Sequence, residues 1–123
     1  MPGSAGPRLV VDGLDVAQVV VADTFATRLR GLAARRRLPE SLLLSPSNSV
    51  HGVGMLVRLD VALLDGAGTV VDVLLLRPFG MTWPRRGVTD VLEAPAGSFA
   101  RWGLSAGSTV TVRRASSDEA ARG

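Results

Sequence analysis

Residues 58–78 read RLDVALLDGAGTVVDVLLLRP, two apolar runs on either side of Asp65-Gly66-Ala67-Gly68. Runs of this length, rich in Val and Leu and separated by a short glycine-containing loop, form a β-hairpin. Apolar residues occupy both faces of each run, which predicts two strands in the middle of a sheet covered above and below. Upstream, RLVVDGLDVAQVVVAD (8–23) repeats the theme around Asp12-Gly13, a dipeptide that tolerates the positive φ of a tight turn, and predicts strands near 8–11 and 16–22. SLLL (41–44) is a short buried strand followed by a polar turn at Ser45, Pro46, Ser47 and Asn48. Downstream, VTDVLEAP (88–95) and TVTVRR (109–114) add further strands.

Two stretches carry helical spacing instead. In DTFATRLRGLAARRR (23–37), Phe25, Leu29 and Leu32 recur behind Thr24, a capping residue, which predicts the main helix at about 24–34. Its apolar face is narrow, so Arg28, Arg30 and Arg35 are expected to be partly wet. AGSFARWGL (96–104) predicts one short helix, with Ser98 as the cap, Gly103 as its end and Trp102 turned inward three positions after Phe99. RPFGMTWPRRG (77–87) breaks the period with prolines and glycines and reads as a surface loop. The pattern is that of a mainly β, compact antiparallel barrel- or sandwich-like domain with one main and one short helix. Strand-helix alternation is absent, which disfavours a doubly wound nucleotide fold.

A chain of 123 residues fits one domain, expected here over 8–114 between a flexible N-terminus (1–7) and a disordered tail (115–123). It contains no cysteine, which excludes disulfides, thiolate metal sites and a cysteine nucleophile. No targeting segment or apolar run of spanning length is present, so the expected location is the cytoplasm. The formal charge is +3, but all 14 basic residues are arginine and none is lysine. Arginine in place of lysine is what a GC-rich genome writes at neutral surface positions, so the charge is a weak sign of nucleic-acid binding.

Candidate chemistry centres on two residues. Asp60 stands between Leu59 and Val61 at the start of an apolar strand, and a carboxylate taken out of water there requires a partner. An arginine, the backbone amides of a neighbouring turn and His51 all qualify. One reading makes Asp60 a polar staple that fixes the sheet; the other makes it a group that orients His51 as a general base or binds a ligand. His51, the only histidine, has no cysteine or second histidine beside it, so no metal and no cofactor is expected. Ser47 and Ser49 lie nearby, but no Gly-x-Ser-x-Gly elbow presents a hydroxyl for nucleophilic attack. Gly52 and Gly54 suggest a bulge or a close approach to the backbone. Trp83 sits beside Arg85 and Arg86 in an aperiodic loop, a contact chemistry suited to proteins, anionic sugars or nucleic acid. Arg35-Arg36-Arg37 follows the main helix, where its dipole favours cations without any partner.

The ordered set ADTFATRLRGLAARRRLP, SVHGVGMLVRLDVALLDGAGTVV and VLEAPAGSFARWGL resembles the family known as domain of unknown function 192, over roughly residues 16–112. The residues that carry the resemblance are Ala22-Asp23-Thr24, Arg30-Gly31-Leu32, Leu59-Asp60, Leu64-Asp65 and Pro95-Ala96-Gly97. Many relatives carry a motif like Trp-Met-Lys-Asn-Thr where this chain has His51-Gly52-Val53-Gly54-Met55. It also has Leu42-Leu43-Leu44 for a more usual Gly-Met-Leu, and Gly107-Ser108 for Gly-Asp. The resemblance implies a small, mostly β domain without an assigned activity.

Three functions are compatible with these residues. The first is a non-catalytic accessory or binding module, for a small molecule or a protein partner, with a groove near His51, Asp60 and the Trp83 loop, to which Arg85, Arg86 and Arg30 contribute. The second is a small hydrolase-like enzyme using His51 and Asp60 on a small or carbohydrate-like substrate. The third is an arginine-patch nucleic-acid binder, which the composition disfavours. The sequence leans away from catalysis and leaves oligomeric state open.

Overall fold

The computed structural model describes residues 6–22, 40–46, 58–77 and 84–114. Their strands are β1 (Arg8–Val11), β2 (Leu14–Gln18), β3 (Val20–Ala22), β4 (Leu42–Leu44), β5 (Leu59–Leu64), β6 (Val70–Leu76), β7 (Asp90–Pro95) and β8 (Val110–Arg113), with a short helix, α1 (Ser98–Trp102), between β7 and β8. They form a three-stranded sheet in the order β2-β1-β8 and a five-stranded sheet in the order β3-β4-β7-β5-β6. One apolar core lies between the sheets: Leu9, Val11 and Val110 of the first meet Leu43, Ala62, Leu64, Leu92 and Ala94 of the second, and Phe99 of α1 closes the end. A second cluster, including Leu42, Leu59, Val61, Leu63 and Val91, lines the other face of the five-stranded sheet. The architecture is therefore a mainly β sandwich, as the hairpin and turn pattern predicts. The main helix expected at 24–34 and the tail from 115 lie outside the described residues.

Local turn chemistry accounts for the hairpins. Asp12 (φ 51) and Gly13 (φ 87) turn β1 into β2, both with the positive φ of the primed turns that suit strand twist. Asp65 closes the β5–β6 hairpin by accepting hydrogen bonds from the amides of Ala67 and Thr69, each at 2.9 Å.

Three details differ from the sequence reading. The strand expected over 16–22 is two strands, because the chain leaves one sheet for the other at Val19. The Val19 amide still bonds the Pro7 carbonyl just ahead of β1, whereas the Val20 amide bonds that of Ser41 beside β4. β3 and β4 then run parallel, with Val20 opposite Leu42, in an otherwise antiparallel arrangement. The hairpin strands also have unequal places: β5 lies between β7 and β6, but among the described strands β6 is at the edge, with Leu75 54% and Val71 43% exposed. Finally, Ser98 is not the cap of α1; Gly97 occupies that position, with φ 96 and no side-chain cap of its own.

On the small sheet, Asp15 is clasped by two arginines. Arg8 donates from Nη2 at 2.7 Å and from Nε at 2.9 Å, and Arg113 donates to the other carboxylate oxygen. The hydrogen bond from Arg8 is the main cause that holds the Asp15 carboxyl below its ordinary value of 3.8. A carboxylate depressed in the folded state contributes stability above the unfolded pKa, and loses it as the pH falls through the folded one. Asp15→Asn is therefore expected to shrink the difference in melting temperature between pH 6 and pH 3. Because the carboxylate remains 29% exposed, the effect at neutral pH should be less than about 1 kcal/mol. An unchanged acid sensitivity would show that the clasp adds nothing to folding.

Candidate functional site

Asp60 opens β5 on the sheet face that turns toward α1. Its Oδ2 accepts hydrogen bonds from the backbone amides of Gly97 and Phe99, both at 3.0 Å. These are donors at the start of a helix that lack intrahelical partners, and Gly97 has no side chain to satisfy them. A carboxylate from a neighbouring strand thus does the work of a cap residue. Of the three partners open to Asp60 on sequence grounds, the structure realises the backbone amides. The side chain is half-buried, since it stands at the end of the strand where the turn at Ala96-Gly97 covers it on one side.

Fixing the start of α1 places the rest of the helix beside the sandwich, and an open groove of about 350 Å³ runs along it. The groove is lined by Val16 and Ala17 of β2, by Glu40, by Pro95 at the end of β7, and by Ser98, Arg101 and Trp102 of α1. Glu40 is held in place by the Gln18 amide, which donates to its Oε1 at 2.6 Å. Glu40 therefore sits where the chain crosses between the sheets. Arg101 folds back along the helix: its Nη2 donates to Ser98 Oγ at 3.1 Å, and Ser98 is 1% exposed. Trp102 packs on Phe99 with ring centroids 5.8 Å apart, so one side of the indole is anchored in the core. Among the described residues no salt bridge joins Glu40 to Arg101.

The sequence-predicted site residues are distributed as follows. Asp60 lies beneath the start of α1, next to the groove. Arg85 pairs with Asp72 of β6 at 3.0 Å, and this hydrogen bond is the main cause that lowers the Asp72 carboxyl. Asp72 faces away from Asp60: Asp60 is paired with Leu75, and strand alternation puts Asp72 on the opposite side of the sheet. Arg86 is exposed in the adjoining turn. His51, Trp83 and Arg30 lie outside the described residues, so the described site brings together Asp60 and α1, not Asp60 and Arg85.

Groove residues Glu40, Arg101 and Trp102 escaped the sequence reading because nothing local joins them. A second acid also escaped it. Glu93 in β7 is 2% exposed, lies between Leu42 and Val61 on the face opposite Asp60, and is partnered. Its signal, an acid inside the apolar run VLEAP, is the same one that singled out Asp60. Among the described residues no cluster of acids or histidine fits a metal ion, and no helix is long and apolar enough to cross a membrane.

Comparison with known proteins adds relatives without an assigned activity. A family model described as "Uncharacterized ACR" matches residues 9–112. A UPF0127 protein of Pyrococcus abyssi is 34% identical over 85 residues, which cover 65% of this chain and 73% of that protein. A UPF0127 protein of Thermococcus sibiricus is 35% identical over 86 residues, covering 65% of this chain and 56% of its own length. Two crystal structures share the fold. One is a protein of unknown function from Novosphingobium aromaticivorans (TM-score 0.67, 24% identity, 85% of this chain and 83% of that one). The other is described as a putative transcription regulator from Sinorhizobium meliloti (TM-score 0.67, 23% identity, 86% and 91%). At these identities the likeness is one of fold alone.

Proposed function

This chain belongs to the domain of unknown function 192 family, and from its groove we propose that it is a small, non-catalytic binding module of the cytoplasm. One observation carries the proposal. The groove beside α1 has the size of a small-molecule site and combines an anchored indole with an acid and a guanidinium that are not bound to each other. Apolar surface supplies affinity there, and the two charged groups supply orientation. Asp60 serves the site from below by fixing the start of the helix that bears Ser98, Arg101 and Trp102. With Oδ2 already accepting two amides, its chemistry is that of a positioning group, which supports a binding role over general-base work with His51.

A ligand-observed NMR screen with a library of small polar fragments tests this reading. Hits are expected with the intact chain, lost in Trp102→Ala and in Arg101→Ala, and kept in Val71→Thr on the edge strand β6. Melting curves identify any variant that has simply unfolded. Hits that survive both groove variants, or none at all, would overturn the proposal.

A further inference from the structure

We infer that the groove selects a zwitterion, a ligand with a cationic group for Glu40 and an anionic group for Arg101 on a body whose apolar side rests against Pro95 and Trp102. The inference rests on the binding-module reading and adds the class of ligand.

Both charged groups are restrained before any ligand arrives. Oε1 of Glu40 accepts a hydrogen bond from the Gln18 amide at 2.6 Å, which orients the carboxylate; Arg8 lies within electrostatic reach of it, but no salt bridge among the described residues closes on it. Arg101 is tied to the nearly inaccessible Ser98 hydroxyl. Its Nη1 also lies over the helix start, 3.6 Å from where a Cβ on Gly97 would stand. The remaining guanidinium N–H groups have no acidic partner among the described residues. The groove thus presents two opposite charges in its lining, already ordered and unpaired with each other, which lowers the entropic cost of engaging them.

Both side chains are exposed, and occupancy displaces water from the sides of them that line the groove. A neutral ligand of the same size leaves two charges imperfectly compensated, and a ligand with a single charge satisfies one while meeting its own sign at the other. Only a molecule carrying both signs compensates both, and charge-assisted hydrogen bonds are the stronger kind. Free amino acids, ω-amino acids and short peptides share this chemistry and differ in the span between their charges.

A ladder of glycine, 4-aminobutyrate, 6-aminohexanoate and glycyl-leucine measures that span. Each is titrated into the ¹⁵N-labelled full chain while the indole N–H of Trp102, assigned with Trp102→Phe, is followed. One rung is expected to saturate that signal at about millimolar concentration or below, as suits a ligand of about ten non-hydrogen atoms. Acetylating its amine or amidating its carboxyl should each weaken binding roughly tenfold or more. In Glu40→Gln, which keeps an acceptor for the Gln18 amide, acetylation should cease to matter; in Arg101→Gln, amidation should cease to matter. Capped forms or methyl glucoside binding as well as the zwitterion would overturn the ligand class while leaving the groove a binding site. Silence of every rung also overturns it, and silence together with a blank fragment screen overturns both readings.

Discussion

Gly68→Ala is expected to lower the free energy of unfolding by about 3 kcal/mol or more, measured by urea denaturation. Gly68 lies in the β5–β6 turn with φ +83, and a Cβ there would stand 2.5 Å from the carbonyl oxygen of Val110. The neighbour is backbone, not the end of a flexible side chain, and it is fixed by the hydrogen bonds of the same corner. The Val110 amide donates to Gly68 at 2.8 Å, the Val70 amide to Ser108 at 2.8 Å and the Gly107 amide to Val70 at 2.8 Å. These bonds, with the Thr69–Thr109 bridge, join the five-stranded sheet to β8 of the small one. Relieving the clash therefore means parting the sheets at that corner. Gly13→Ala is the matched control: φ is +87, but nothing lies within 4 Å of the added carbon, so only the conformational cost of roughly 1 kcal/mol applies. Equal losses for the two variants would mean that the close approach at Gly68 is relieved without cost.

Asp60→Ala is expected to cost about 2–3 kcal/mol, because it strips two amides at the start of α1 of a charged acceptor that no other side chain replaces. Asp60→Asn retains a carbonyl acceptor and should cost about half as much. The damage has a predicted location. Hydrogen exchange at Gly97 and Phe99 should quicken more than at Val61 or Leu92, which lie inside the sheet, since loss of a cap opens a segment before it opens the fold. If melting is unmoved in both variants, Asp60 does not hold the helix, and a role with His51 regains its force.

The elements legible in the sequence are those specified by neighbours along the chain. The 58–78 hairpin, the Asp12-Gly13 turn, β7 and the short helix follow from period and turn chemistry, and each is found where expected. What escaped the sequence depends on partners far away. An uninterrupted run such as Val19-Val20-Val21 looks the same whether it continues one strand or changes sheets; the amide acceptors Pro7 and Ser41 decide. The edge position of β6 likewise follows from β7 taking the other side of β5, which no local pattern encodes. Asp60 was recognisable as a carboxylate in need of a partner, but not which partner. Glu40 and Arg101 were unremarkable surface charges until the sheet crossing and the capped helix brought both into the lining of one groove.

The place of β1 bears on how the molecule is made. Its four residues are flanked by β2, which follows at once, and by β8, with Arg8 opposite Arg113. During synthesis the early hairpin is therefore exposed along one flank until almost all the intervening residues have left the ribosome. The small sheet is completed only once β8 has emerged, and a pairing of such large sequence separation closes slowly. Until then, any chaperone or second nascent chain meets an unfilled strand position whose proper occupant has yet to be translated.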